Sequence, residues 1–331
     1  MVRKLFTLAL LALLCLAGYA FWYVSTPVRT ETLPLEFDVP PGTGFRTAAR
    51  RMEEAGIDVG RLRFELLARA LGRAQDIRAG SYELASAPTP LELLDKLTRG
   101  DAMQAEIRFL EGWTFRQFRA ALDAHPAVRH DSAGLPDEEV LARAGVREAH
   151  PEGQFFPDTY RFPKGTSDLR IFARAHAAMR RHLAREWEMR DPDTPYRTPY
   201  EALIMASIVE KETGRAEERE RIAGVLVNRL RAGMFLQADP TVIYGLGERF
   251  DGNLKKIHLQ TDGPYNTYTR PGLPPTPIAA PGLAALRAAL RPAKTDAFYY
   301  VARGDGSSQF SRSLEEHNRA VRKYQSHGSR P

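Results

Sequence analysis

The chain has 331 residues, 43% of them hydrophobic, which is enough apolar material for a sizeable core and excludes an intrinsically disordered protein. Lys and Arg outnumber Asp and Glu by 47 to 41, a net charge of +6 that favours an acidic partner such as anionic lipid, cell-wall carboxylate or nucleic acid, although an Arg-rich soluble surface explains it equally well. The single cysteine, Cys15, excludes an intramolecular disulfide and a Cys-based metal site.

At the N-terminus, Arg3 and Lys4 precede an uncharged run from Leu5 to Val24, about the twenty residues a bilayer core requires. This pattern predicts a membrane-spanning helix with its basic flank in the cytoplasm and everything after Pro27 outside. Phe21, Trp22 and Tyr23 would form an aromatic belt at the outer interface. A cleaved signal peptide competes, because Gly18-Tyr19-Ala20 fits a small-x-small cleavage pattern, but the apolar run continues past it and favours retention. Leu14 before Cys15 is too bulky for a lipoprotein cleavage site.

Residues 33–100 alternate short strands and helices. "LPLEFDVPPGTG" and "AGSYELAS" read as extended, "FRTAARRMEEAG" and "RLRFELLARALG" have helical periods ending at Gly, and Thr89-Pro90 opens another helix. "MQAEIRFLEGWTFRQFRAAL" reads as strand, Gly turn and helix, and residues 124–152 as a loop-rich connection with one short helix. In "GQFFPDTYRFPKGTS", Phe155, Phe156, Tyr160 and Phe162 crowd a Pro-Asp turn and read as core rather than as a ligand platform. A long helix is expected over 168–189.

Thr198 as N-cap, Pro199 at the first helical position and Glu201 as the reciprocal capping residue predict a helix from 199 to the stop at Gly214. Met205, Ile208, Val209 and Glu212 share one face, whereas Glu210 lies opposite with Leu203, Ser207 and Lys211 on a mixed face. A carboxyl continuing an apolar stripe loses hydration, which raises its pKa toward that of a general acid. A salt bridge from Glu212 to Arg229, or fraying into solvent, explains the same pattern. The next helix, "AEERERIAGVLVNRLRAG", turns Ile222, Val225, Leu226 and Leu230 inward. Then come "MFLQADPTVIYGLGERF", with Gln237, Asp239, Thr241 and Tyr244, and "DGPYNTYTRPGLPPTPIAAPG", with Tyr265, Asn266, Thr267 and Tyr268 before a Pro-rich loop. Hydroxyls, amides and rings at this density suit a sugar-binding groove. Asx-type turns that merely shape the loops compete with that reading.

"ASIVEKETGRAEERERIAGVLVNRLRAGMFLQADPTVIYGLGER", "YNTYTRPGLPPTPIAAPG" and "RPAKTDAFYYVARGDGSSQFSRSLEEHN" closely resemble the endolytic murein transglycosylases of the YceG-like family. The N-terminal anchor, "VPPGTG", Glu111-Gly112 and "EGQFFPDTYRF" extend the resemblance over nearly the whole chain. It implies an α+β fold with a transmembrane helix in residues 1–27, a small LysM-like α/β module in 28–105 and a YceG-like catalytic domain in 106–331. It implies a single-pass protein of the bacterial inner membrane, its catalytic domain periplasmic, that cuts within nascent peptidoglycan glycan strands. Peptidoglycan synthases and the elongation machinery are the implied partners. The family's essential glutamate, the one followed by Thr in "EKET", corresponds to Glu212.

In that chemistry Glu212 protonates the glycosidic oxygen and then, as carboxylate, takes the proton of the muramyl C6 hydroxyl as it closes on C1, leaving a 1,6-anhydromuramyl end. Tyr244 and Asn266 are candidates to support the oxocarbenium ion. Gln237, Asp239, Thr241, Tyr265 and Tyr268 are candidates for substrate contact. Glu210, Thr213, Glu152 and Asp158 are candidates for supporting roles, with turn stabilisation the competing role for Glu152 and Asp158. Two readings compete: a muramidase that uses water with Asp239 as second carboxylate, and a non-catalytic wall-binding scaffold. No metal-ligand spacing, phosphate-binding Gly loop or nucleic-acid-binding signature is present, so no cofactor or nucleic-acid partner is expected, and His258 and His317 read as surface residues.

Overall fold

The computed structural model describes residues 2–40, 42–100, 104–148, 150–212 and 215–325. The chain divides into two compact units, Met1–Glu106 with Arg161–Thr166, and Ile107–Tyr160 with Ser167–Pro331.

The first unit begins with α1 (Val2–Ser25), an apolar helix long enough to cross a membrane. It continues through β1 (Arg29–Thr30), β2 (Leu35–Val39), α2 (Phe45–Glu54), β3 (Ile57–Asp58), α3 (Arg61–Ala70), β4 (Gly80–Leu84) and α4 (Pro90–Arg99). The alternation in "LEFDV" sets which face is buried: Leu35, Phe37 and Val39 point inward while Glu36 and Asp38 stay outside. β2 pairs antiparallel with β4, Leu35 opposite Leu84 and Phe37 opposite Tyr82, whose rings stack 5.4 Å apart. Phe45, Ala48, Ala49 and Met52 of α2 and Leu93, Leu94 and Leu97 of α4 complete this core. α4 starts where its sequence says, with Thr89 and Glu92 forming a reciprocal capping box.

β5 (Gln104–Arg108) carries the chain into the second unit. There follow α5 (Phe115–Asp123), β6 (Val128–Arg129), α6 (Asp137–Arg143), β7 (Thr159–Pro163), β8 (Thr166–Ser167) and the long α7 (Asp168–Glu188). Next are α8 (Pro199–Glu212), α9 (Ala216–Arg231), α10 (Asp239–Leu246), α11 (Lys256–Gln260), α12 (Leu283–Leu290), the hairpin β9 (Tyr299–Ala302) and β10 (Ser308–Ser311), and α13 (Leu314–Tyr324).

α8 is the centre of the second unit. All eight residues from Ala202 to Val209 are buried, including Leu203 and Ser207, which helical spacing puts on the mixed face with Glu210 and Lys211. Ser207 is tolerated there because its hydroxyl donates to the Ile204 carbonyl at 2.7 Å and accepts from the Ile278 amide at 3.0 Å. α12, "LAALRAAL", covers α8 with small side chains, Ala285, Ala288 and Ala289 among them, that allow the helices to approach closely. The N-terminal cap of α8 differs from a simple box: the Glu201 amide bonds Thr198 Oγ1, but the Glu201 carboxylate reaches past it to the Arg197 amide at 2.6 Å.

Candidate active site

At its C-terminal end α8 leaves the core, and there its two glutamates part. Glu210, half-buried, accepts the Gly282 amide at 3.0 Å and so holds the N-terminus of α12. Burial raises its pKa, and the Glu111 charge beside it adds to the rise. Glu212 turns instead into a cavity of about 350 Å³ lined also by Arg229, Gln237, Asp239, Tyr268, Tyr300, Val301, Ala302 and His317. Thr213 lies outside the described residues.

The protein around this cavity strips the Glu212 carboxyl of most bulk water, and this burial pushes its pKa up to about 7. A hydrogen bond from the Tyr300 hydroxyl and the charge of Arg229 act against the rise, while the charge of Asp239 adds to it. Arg229 is itself buried and directs its guanidinium elsewhere: Nε donates to the Phe298 carbonyl at 2.6 Å and Nη1 to the Leu236 carbonyl at 2.7 Å. It acts on Glu212 through its charge, while its hydrogen bonds pin the strand and the loop that line the cavity.

The loop after α9 is built to present Gln237 and Asp239. Gln237 has φ of +50°, a left-handed conformation uncommon for a residue with a side chain, held by its amide bond to the Thr267 carbonyl at 3.0 Å. Thr267, buried, also accepts the Ala238 amide at 3.0 Å and shares a hydrogen bond with Thr241 at 2.9 Å. Tyr268 donates to Asp239, closing one side of the cavity.

Of the residues singled out from sequence, Glu212, Gln237, Asp239 and Tyr268 meet at this cavity. The others are placed elsewhere. Thr241 is fully buried and bonded to Ala238 and Thr267, and Asn266 donates its amide to the carbonyls of His258, Leu259 and Thr261 at 3.2, 3.1 and 2.6 Å. Both shape loops, because their polar groups are spent inside the protein. Tyr265 bonds Thr276 at 2.8 Å and packs edge-on against Tyr244. Tyr244 donates to Glu152 at 3.1 Å, which also accepts the Phe115 amide at 2.9 Å. Asp158 is exposed and accepts the Thr159 amide at 2.7 Å, a turn contact.

Three cavity residues were not legible as such. Tyr300 follows Tyr299 in β9, and only the pairing of the hairpin decides which ring turns to Glu212. Arg229 read as an ion-pair partner rather than a loop anchor. His317 corrects an expectation: it lines the cavity and stacks on Tyr299, ring centroids 5.2 Å apart, because it lies on the inward face of α13. Elsewhere in this unit, Asp123, His130 and Asp168 bring ligand-type atoms within 4.8 Å of one another. The buried Asp168 carboxylate there is already satisfied by the Ser132 amide and hydroxyl and the Leu169 amide.

A sequence model described as the YceG-like family matches residues 37–323. The chain is 30% identical over 328 residues to an endolytic murein transglycosylase of Bacillus subtilis (strain 168), spanning 93% of this chain and 90% of that one. It is 27% identical over 364 residues to an endolytic murein transglycosylase of Streptococcus pneumoniae serotype 2, spanning 96% of this chain and 65% of the relative. Among solved structures, a YceG-like protein of Listeria monocytogenes superposes with a TM-score of 0.54 at 29% identity, over 86% of this chain and 98% of that one.

Proposed function

The chain belongs to the YceG-like family, and from that premise we propose that it is an endolytic murein transglycosylase in which Glu212 is both acid and base. The observation that carries the reading is a single desolvated carboxyl, its pKa raised to about 7, at the end of a buried helix and facing a polar cavity. At neutral pH a large fraction of such a group is protonated, so it can donate to the glycosidic oxygen as the bond to C1 breaks. The carboxylate then removes the proton from the muramyl C6 hydroxyl while that oxygen bonds C1. The acid is regenerated, no water is consumed, and the products are a 1,6-anhydromuramyl end and a free 4-hydroxyl.

Asp239 has the charge sign that a developing oxocarbenium ion requires, and Tyr268 holds it in place. Tyr300 keeps the Glu212 carboxyl oriented through its hydrogen bond. The cavity is at the small end for a ligand site, which fits a groove that encloses only the sugars at the cut while the strand runs beyond it. Asp239 on the same cavity is also what a water-using muramidase would need as its second carboxylate. The two readings part at the product ends. α1 would anchor the enzyme in the inner membrane with the rest outside, and the first unit would serve as a LysM-like wall-binding module near the synthases that supply nascent strands.

Glu212→Gln is expected to cut glycan strands roughly 10²–10⁴-fold more slowly with its thermal midpoint preserved at pH 6. Because the acid form must be present at the start, wild-type kcat/KM should fall as pH rises through about 7. A Glu212→Gln enzyme of wild-type rate, or a rate that climbs above pH 7, contradicts the assignment.

A further inference from the structure

α13 presents charged and polar side chains to solvent at Glu315, Glu316, Asn318 and Arg319, but His317, Val321 and Gln325 follow one another at helical spacing along the cavity. His317 is the titratable residue of that row. Its ring is held flat against Tyr299, tilted by 26°, and its position on the helix is set by the reciprocal cap of Ser313 and Glu316 one turn earlier. Nδ1 is buried and has no hydrogen-bond partner. Among the described residues Nε2 has none either, so the nitrogen left in contact with the cavity is Nε2.

Burial, with the charge of Arg229, lowers the pKa of His317, so the ring is neutral at neutral pH and carries one N–H. A buried orphan N–H is rarer, and costlier, than an unsatisfied acceptor. The proton therefore sits on Nε2, the side where a partner can arrive.

We propose that His317 is a substrate-positioning residue whose Nε2–H donates a hydrogen bond to an acceptor oxygen, a hydroxyl or an acetamido carbonyl, of the sugar bound beside Glu212. This rests on the reading of the cavity as a glycan site and adds to it an imidazole donor among its lining side chains. Arg229 donates Nε and Nη1 to the Phe298 and Leu236 carbonyls and Tyr268 and Tyr300 donate to carboxylates, whereas the His317 ring has no hydrogen-bond partner among the described residues.

The test uses the full chain in detergent with isolated glycan strands. His317→Phe keeps the stacking on Tyr299 and removes the donor. His317→Gln places an amide N–H near the position of Nε2, and His317→Asn places one near Nδ1. The Phe and Asn variants are expected to raise KM roughly 10-fold, the effect of one lost hydrogen bond, with kcat changed much less. The Gln variant should stay close to wild type. A parallel measurement compares glycan-fragment binding to Glu212→Gln with and without His317→Phe, and the second change should weaken binding by the same factor. Wild-type KM in the Phe variant, or rescue by Asn and not Gln, overturns the proposal. If the Phe variant unfolds, the Gln and Asn pair decides. A wild-type chain that cuts no strand fails the functional reading, whereas one that cuts equally well without the His317 donor fails this inference alone.

Discussion

Glu152, buried, and Glu212, half-buried at the cavity, are both carboxyls that desolvation raises to about 7, yet their surroundings give them different work. Glu212 faces a cavity. Glu152 is enclosed, accepting the Phe115 amide that opens α5 and the Tyr244 hydroxyl of α10, so it joins two elements and leaves no oxygen for a ligand. Since burial raises its folded pKa above the unfolded value, the stability it contributes is present below about pH 4.5 and is lost as pH rises through 7. The stability of Glu152→Gln relative to wild type, lowered at every pH because an amide cannot accept both bonds, should therefore rise between pH 5 and pH 8 by about 2–3 kcal/mol, read from urea midpoints at the two pH values. Equal midpoint differences at both would contradict the shift. That Glu212 and Glu210 point different ways was readable, because spacing along one helix fixes direction; what each faces was not. Tyr300 and His317 were not readable as cavity residues, since each reaches the cavity only through long-range packing of the C-terminal hairpin and helix.

The helix α8 shows where pattern reading fails for elements. A stripe argument assumes one wet face, but Ala202 through Val209 are enclosed on every side, and periodicity within a helix buried all round says little about environment. Caps were legible because they are local chemistry: Thr89 with Glu92, and the Glu201 amide on Thr198, act where the sequence puts them, while Gly214, the stop expected for α8, lies outside the described residues. Packing between elements was not. Gly224 in the middle of α9 reads as a weakness, yet a Cβ there would collide with the Ala293 carbonyl and come within 2.9 Å of Thr295 Cγ2. Gly224→Ala is expected to destabilise by about 1–3 kcal/mol despite its helix propensity, measurable as a lower denaturation midpoint. A gain of about 1 kcal/mol, the propensity effect alone, would show that the segment after α12 yields freely.

At the scale of the molecule, the apolar α1 is visible in the composition of the chain, whereas the return of residues 161–166 to the first unit has no sequence signal. The whole account depends on one chemical event: transfer of the glycosidic bond to the muramyl C6 oxygen under the control of Glu212. It is tested most directly by digesting intact glycan strands with the full chain in detergent and weighing the new ends by mass spectrometry. The account predicts internal cuts whose muramyl ends are lighter by one water than reducing ends, absent with Glu212→Gln. Water-added reducing ends, or anhydro ends of equal yield from Glu212→Gln, would contradict it.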